Sequence, residues 1–416
     1  MSERTTCLVA GGGPAGMVLG LLLARAGIEV TVLEKHADFL RDFRGDTVHP
    51  STMALLDELG LGDRFAELPQ SRLGTVSLPG PPALTIADFR RLDVPHPYVA
   101  MVPQWDLLDL LADAGRAEPA FHLRMNTEVT GLLREGDRIT GVRYRTADGD
   151  TGEIRADLTV GCDGRWSVVR RDAGLRPREF PVPIDAWWFR LPRSNDVDPA
   201  LMPEMHDGHF AVVIPREDYF QIAYLAAKGL DARLRAEGVA AFRERVRAVV
   251  PALADHVGAI ASMDEVKHLD VRLDVLRRWH REGVLCIGDA AHAMSPVGGV
   301  GINLAVQDAV AAARLLAGPL RRRRVTGSDL ARVHRRRSAP TALVQALQRT
   351  MHRTVIRPVI EGRRNGPPAA LARLVNAVPG ASRIPAYLMG VGLLPEHAPG
   401  WARRQPEGVT RSAPGW

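Results

Sequence analysis

Lysine is almost absent from the 416 residues: Lys35, Lys228 and Lys267 stand against 51 arginines. The bias reads as GC-rich coding rather than as a built surface. The formal net charge of +6 gives a mild positive field, which favours anionic cofactors and substrates. The arginines are spread along the chain apart from "RRRR" at 321–324 and "HRRR" at 334–337. No nucleic-acid motif accompanies these runs, so they read as solvated helix faces and no nucleic acid is expected as a partner. Cysteine is also scarce. Cys7, Cys162 and Cys286 each sit in a short apolar run of strand character, with no CxxC or Cys/His cluster. That excludes a disulfide scaffold and a zinc site, and no metal is expected. The three read as small core side chains in a reducing cytoplasm. No secretory leader is legible, because residues 1–10 run straight into a strand pattern. The apolar stretch "MVLGLLLARAG" is too short and too interrupted to span a bilayer. A cytoplasmic chain without stable membrane insertion is the expectation.

What is present is long enough for two domains, each with its own core. "TTCLVAGGGPAGMVLGLLLARAGIEVTVLEKH" reads as strand, glycine turn, helix and strand. Gly11, Gly13 and Gly16 supply GxGxxG, and Glu34 closes the second strand. Such glycines permit a tight turn, close approach of a pyrophosphate and close helix–strand packing. The helix start then offers free N–H groups and a positive dipole end. Glu34 stands where it can accept hydrogen bonds from ribose hydroxyls. The loop alone leaves FAD and NAD(P) undecided.

Between this loop and a second one the pattern changes. "STMALLDELGLGD" reads as a helix closed by glycine, and "VPQWDLLDLLADAG" as another behind Gln104. Residues 121–164 alternate as strands, with turns at Glu135-Gly136-Asp137 and Asp148-Gly149-Asp150, and end in Asp163-Gly164 before a helix. Residues 181–267 read as an inserted domain built on a mostly antiparallel sheet. Its strands include "DAWWFRLP" and "HFAVVIPREDYFQIAYLA", with "DARLRAEGVAAFRERVRAVVPAL" as an amphipathic helix. Residues 76–89 are expected to join it. Strand alternation sends Trp187 and Phe189 to one face, Trp188 and Arg190 to the other. One face is available to line a pocket for a ring substrate, with Arg190 meeting an acidic group. Core packing is the plainer role for Trp187, Trp188, Phe189 and Tyr224.

The second loop lies in "VLCIGDAAHAMSPVGGVGINLAVQDAVAAARLLAG". "VLCIGDAA" reads as a buried strand ending in Asp289. Pro296, Gly298, Gly299 and Gly301 follow, then a helix from about Ile302 to near Gly318.

The chain resembles the FAD-dependent aromatic hydroxylases typified by para-hydroxybenzoate hydroxylase, the class A flavoprotein monooxygenases. The likeness rests on three ordered motifs: GxGxxG with Glu34, then Asp163-Gly164, then Gly288-Asp289 with the proline–glycine loop. It implies an α/β fold with a Rossmann-like FAD-binding domain and an inserted, mostly antiparallel substrate domain. The corresponding ranges are 1–75, 100–180 and 268–365 for FAD, 76–99 and 181–267 for substrate, and 366–416 for a C-terminal helical segment and tail.

The resemblance also implies roles. Gly11, Gly13, Pro14, Ala15 and Gly16 contact the FAD pyrophosphate, Glu34 the adenosine ribose, and Lys35 lies beside it. Arg44 and Gln104 reach the diphosphate or ribityl region. The Val129 backbone meets the adenine, Asp163 the pyrophosphate and Asp289 a ribityl hydroxyl. Pro296 lies by the reactive edge, and Gly299, Val300, Gly301, Ile302 and Asn303 surround the pyrimidine side. A helix start there favours reduced, negatively charged flavin. NADH or NADPH reduces the flavin, O2 adds to give a flavin hydroperoxide, and one oxygen goes to an aromatic or polyketide-like small molecule.

No catalytic triad is required and none is seen. Asp46 departs from the small residues usual beside the ring and is a candidate acid or base, or else a capping aspartate. His49 is a second candidate, with a structural role as the alternative. His292 reads as fixing the loop. The tail is too short for a thioredoxin-like extra domain, and no WxWxIP motif of tryptophan halogenases occurs. Two other functions stay open: a flavin-dependent reductase resembling geranylgeranyl reductases, and a non-catalytic flavin-binding redox partner. Oligomeric state is not legible.

Overall fold

The first 33 residues build the expected unit: β1 (Glu3–Ala10), α1 (Pro14–Arg25) and β2 (Val30–Leu33). The computed structural model describes residues 3–405 except 41–46, 79–82, 194–201, 207, 217, 364–369, 371–372, 374–375 and 379. β3 (Thr47–Val48), α2 (Pro50–Glu58), α3 (Gly62–Ala66), β4 (Ser71–Leu73), β5 (Thr75–Leu78), β6 (Leu84–Asp88), β7 (Val99–Met101) and α4 (Gln104–Arg116) follow. Next come β8 (Phe121–Arg124), β9 (Thr127–Glu135), β10 (Arg138–Thr146), β11 (Thr151–Gly161), α5 (Val168–Asp172), β12 (Pro177–Phe180) and β13 (Ile184–Pro192). The rest is β14 (Met202–His206), β15 (His209–Pro215), β16 (Tyr219–Ala227), α6 (Asp231–Val249), β17 (Lys267–Leu269), β18 (Leu273–Leu276), β19 (His280–Arg281) and β20 (Val284–Cys286), then α7 (Gly301–Arg321), α8 (Gly327–Met351), α9 (Arg357–Ile360) and α10 (Arg383–Gly390).

The largest sheet runs β19-β20-β11-β1-β2-β8, with β10 and β9 branching antiparallel from β11. β20, β11, β1, β2 and β8 are mutually parallel. A parallel strand is covered on both faces and is therefore apolar throughout rather than alternating. Cys7, Leu8, Val9 and Ala10 are accordingly all fully buried, and Cys7 and Cys286 are unpaired core thiols. α1 packs against α4 and α7. Leu21, Leu22 and Leu23 of α1 are buried, each contributing about 2 kcal/mol of transfer free energy.

The second sheet runs β14-β15-β16-β13-β17, antiparallel throughout. It extends to Leu269, two residues beyond the boundary read from the sequence. α6 covers one face, turning at Gly238, where φ is +82°. Trp187, Phe189, Leu191, Ile222 and Tyr224 form the core beneath it. On the other face Ala186, Ala223 and Leu225 join one apolar cluster with Met294, Val300 and Leu304 of the second loop region. β5 and β6 form a hairpin of their own. Ala87 of β6 and Phe89 just after it share a cluster with Ile214, Trp188 and Val212.

Two expectations along the chain are corrected. The strand expected to reach Asp289 stops at Cys286, and Gly288–Ala290 form a single 3-10 turn. The reason is local: Gly288 has φ +57°, outside the extended region. The helix expected to stop near Gly318 runs through Gly318 and Pro319 to Arg321. Pro319 removes one hydrogen bond, but Leu320 beyond it is fully buried, which offsets the loss.

Candidate active site

The parallel register lines up the ends of four strands. Ala10 pairs with Leu33 on one side and Gly161 on the other, and Gly161 pairs with Cys286. The turns after them therefore share the carboxyl edge of one sheet, where open α/β sheets bind ligands. Gly11, Glu34, Asp163 and Asp289 are brought together by this topology.

At the first loop Gly11 has φ +102°, and a Cβ there would lie 2.5 Å from the Cys162 carbonyl oxygen. A Cβ on Gly16 would lie 2.0 Å from the Gly11 oxygen. Both positions are closed by backbone. Gly13, by contrast, faces open space. The first intrahelical bond of α1 is Met17 N–H to the Gly13 oxygen at 2.9 Å. The amides of Ala15 and Gly16 precede it and have no carbonyl a turn behind them. Pro14 occupies the first helical position, where its missing N–H costs nothing. Glu34 is buried, and its carboxylate accepts from the Gly12 amide at 2.8 Å and the His36 amide at 3.1 Å. Lys35 is exposed.

Asp163 follows β11. Its carboxylate accepts from the Ser167 hydroxyl at 2.5 Å and the Val169 amide at 3.0 Å, capping α5. Burial pushes its carboxyl above the ordinary aspartate range, and those two donors pull it back. Gln104 is half-buried at the start of α4, and Val129 is buried on β9. Asp289 is half-buried, with its carboxylate 3.3 Å from Arg165 Nε.

The second loop is held from outside. The Gly299 carbonyl accepts from the Thr47 hydroxyl at 2.7 Å and meets His49 Nε2 at 3.0 Å. A carbonyl only accepts, so His49 carries its proton on Nε2. His49 is 1 % exposed, and burial lowers its pKa to about 4. Gly299 has φ +63°, and a Cβ there would meet Thr47 Oγ1 at 2.6 Å. The Ser51 and Thr52 hydroxyls reach Asn303 Oδ1 at 2.7 and 2.9 Å. Behind the loop, Gln348 donates to the Ser295 and Val297 carbonyls, both at 2.9 Å, and accepts from the Ser295 amide at 3.1 Å. The Ser295 hydroxyl meets His352 Nε2 at 2.9 Å, and burial lowers the His352 pKa to about 4.

Under Gly288 lies a buried charge cluster. Asp308 accepts from the Gly288 amide at 3.1 Å, from Arg337 Nε at 3.0 Å, and contacts His292 Nε2 at 2.5 Å. Burial opposes the Asp308 charge, but His292 and Arg337 hold its carboxyl below the usual range. His292 thus fixes the loop. Pro296, Gly301 and Ile302 complete it, with Val300 as the residue before α7. The amides of Gly301, Ile302 and Asn303 precede the Leu304 N–H to Val300 bond at 3.1 Å and are open at the helix start.

Arg44 and Asp46 lie outside the described residues. Trp187 donates to Asp231 at 2.8 Å and packs in the α6 core with Phe189 and Tyr224. Trp188 lies on the face turned to the loop. Arg190 is exposed over the Tyr219 ring. Thr47, Gln348, His352 and Arg337 were not legible as site residues. One signal existed on α8 and just past it: Arg337, Thr341, Gln345, Gln348 and His352 are buried polar residues at helical spacing.

The residues fit FAD. Free amides at two helix starts suit a pyrophosphate and a ring edge that gains negative charge, and the open space at Gly13 admits the former. The fold and the two loops define a flavin-binding oxidoreductase. The FAD binding domain family matches residues 4–346, and the chain belongs to that family. It is an FAD-dependent monooxygenase. It is 37% identical over 358 residues to 6-methylpretetramide 4-monooxygenase of Streptomyces rimosus, covering 84% of each chain. It is 34% identical over 324 residues to 12-dehydrotetracycline 5-monooxygenase/anhydrotetracycline 6-monooxygenase of the same species, covering 74% of this chain and 61% of that one. The structure superposes on OxyS anhydrotetracycline hydroxylase from S. rimosus with TM-score 0.73 and 26% identity, over 93% of this chain and 76% of that one. PqsL from Pseudomonas aeruginosa shares the fold, at TM-score 0.72 and 21% identity, over 86% and 99%. The para-hydroxybenzoate hydroxylase-like architecture is thereby established. No helix among the described residues is long and apolar enough to cross a membrane.

Proposed function

We propose that this monooxygenase takes electrons from NADH or NADPH and inserts one oxygen atom of O2 into a polycyclic aromatic small molecule of the polyketide kind, in the cytoplasm. The observation that carries this reading is the second loop. One side of it reaches the parallel sheet edge, and the other shares an apolar cluster with the inserted sheet. A flat ring substrate entering there would lie between the two surfaces, and the relatives are named for 6-methylpretetramide and anhydrotetracycline.

When bound, FAD supplies the redox and oxygen chemistry that no side chain here can perform. The chain binds, orients and excludes water. The Ala15 and Gly16 amides hold the pyrophosphate, with Gly11, Gly13 and Pro14 shaping the turn. Glu34 would hold the ribose, with Lys35 beside it, Val129 at the adenine and Gln104 toward the diphosphate or ribityl region. Asp289, which stands 3.3 Å from Arg165 Nε, would hold a ribityl hydroxyl, and Asp163 would fix the adjoining turn. Pro296, Gly299, Val300 and the amides of Gly301 to Asn303 line the ring. His49 is a positioning residue here: it is neutral and already donates to the Gly299 carbonyl. Asp46 is then the remaining candidate to move a proton.

The test is isotopic. Purified protein is expected to be yellow and to release FAD. With a polycyclic phenol it is expected to oxidise NADH or NADPH faster and to place label from 18O2 in the product. Substrate consumption with no label in any product would sink the monooxygenase reading.

A further inference from the structure

The face of the inserted sheet that turns toward the second loop carries two hydrogen-bond donors without acceptors. Gln221 is 1 % exposed. Arg216 Nε and Nη2 lie 3.0 and 2.9 Å from one terminal atom of its amide. A guanidinium only donates, so that atom is the oxygen. The nitrogen, Nε2, is left with two N–H groups, and it has no hydrogen-bond partner among the described residues. The indole Nε1 of Trp188 is buried and unpartnered in the same way.

The register places both on one face. Trp188 of β13 pairs with Ala223 of β16, and Arg190 pairs with Gln221. Trp188 and Gln221 are therefore diagonal neighbours, within reach of a single bound molecule. Ala223 and Trp188 belong to the cluster that includes Val300 and Met294. A buried donor left unpaired costs free energy, and a native sheet face that keeps two such donors on diagonal residues is matched to acceptors that arrive from outside.

We infer that Gln221 Nε2 and Trp188 Nε1 are specificity-determining donors for oxygen atoms on one edge of the substrate, which is accordingly a polyoxygenated polycyclic aromatic with neighbouring carbonyl or phenolic oxygens. This rests on the monooxygenase reading above and adds to it the polar edge the substrate presents. Entry requires side chains bridging the two apolar clusters on this face to move. Met389, half-buried in both, is unbranched and adaptable.

The experiment is equilibrium dialysis of the oxidised, FAD-loaded protein against a peri-dihydroxyanthraquinone, with anthracene as the oxygen-free control. Gln221→Glu keeps an acceptor for Arg216 but removes both N–H groups. Trp188→Phe keeps an aromatic ring but removes the indole N–H. Each variant is expected to bind the quinone about tenfold more weakly while holding anthracene within about twofold, with an unchanged melting temperature. Unaltered quinone binding in both variants overturns the inference. So does an equal loss for anthracene, or a wild type that binds neither compound. Dialysis is independent of turnover, so these outcomes are distinct from a failed 18O2 experiment.

Discussion

The two glycine loops look alike in sequence and are held by opposite means. The first is fixed by its own backbone: Gly11 and Gly16 sit where a Cβ would strike the Cys162 and Gly11 carbonyls. The second is fixed by side chains from distant parts of the chain, with Thr47 and His49 on one side and Gln348, His352 and Asp308 on the other. One loop is closed by backbone of its own segment and of one adjacent strand end, and the other by side chains from across the assembled fold. The first needs only β1, α1 and the end of the neighbouring β11. The second exists only when α2, α7 and α8 are all in place.

The sharpest way to break this contrast is at Gly16. Gly16→Val is expected to give protein that is insoluble or colourless, because the backbone beneath it cannot yield without moving β1. Gly13→Ala is expected to leave the melting temperature of flavin-free protein unchanged, since its Cβ meets nothing within 4 Å. It should still lower FAD affinity about tenfold or more by intruding where the pyrophosphate approaches. Thermal melting and the ratio of flavin to protein absorbance check both. Equal behaviour of the two variants would remove the distinction between a turn built by sterics and one shaped for a ligand.

At the second loop the largest effect is expected from Asp308→Ala. It leaves Arg337, 1 % exposed, without its carboxylate. Breaking a buried pair from one side costs about 3–5 kcal/mol. Denaturant unfolding should show that loss, and FAD should dissociate more readily because the Gly288 amide loses its acceptor as well. A loss below about 1 kcal/mol would mean the cluster is a passenger.

The asymmetry also explains what the sequence disclosed. The first loop was readable because GxGxxG, the helix and Glu34 lie within one short segment, although the Cys162 carbonyl that closes Gly11 comes from the distant end of β11. The strands at 127–161, 184–192 and 209–227 were equally legible from alternation and turn residues, whereas β14 at 202–206 was not read. The second loop was recognised as glycine-rich, but its supports were not, because Thr47 and Gln348 are hundreds of residues apart and meet only in the fold. Asp46, the residue singled out beside the ring, is not among the described residues. His49 was readable as a histidine near the ring, yet only the Gly299 carbonyl at 3.0 Å turns it from a candidate base into a support.

A subtler probe is pH. His49 and His352 both titrate near 4 when folded, through burial, against about 6.5 when unfolded. Between these values the unfolded chain binds more protons, so stability falls as pH drops. From pH 7 to pH 5 the loss is about 2 kcal/mol for each histidine. Replacing either by glutamine is expected to flatten the dependence of melting temperature on pH over that window. Protein that is as stable at pH 5 as at pH 7 would contradict the neutral, buried state of both rings.

The smallest expected effect is the most specific one. Thr47→Val keeps the shape of the side chain and removes one hydroxyl, leaving the Gly299 carbonyl with His49 as its single side-chain donor. Loss of one such bond costs about 1 kcal/mol, so the melting temperature should move by only a few degrees. FAD affinity should hardly change, because the first loop and the start of α7 are untouched. Turnover is the quantity that should respond, since a loop free to shift against the ring aligns substrate less often. The expected result is a several-fold fall in kcat with KM for the reduced nicotinamide unchanged. A fall in FAD affinity with kcat preserved would reverse the assignment, making the second loop a binding element and leaving orientation to the first.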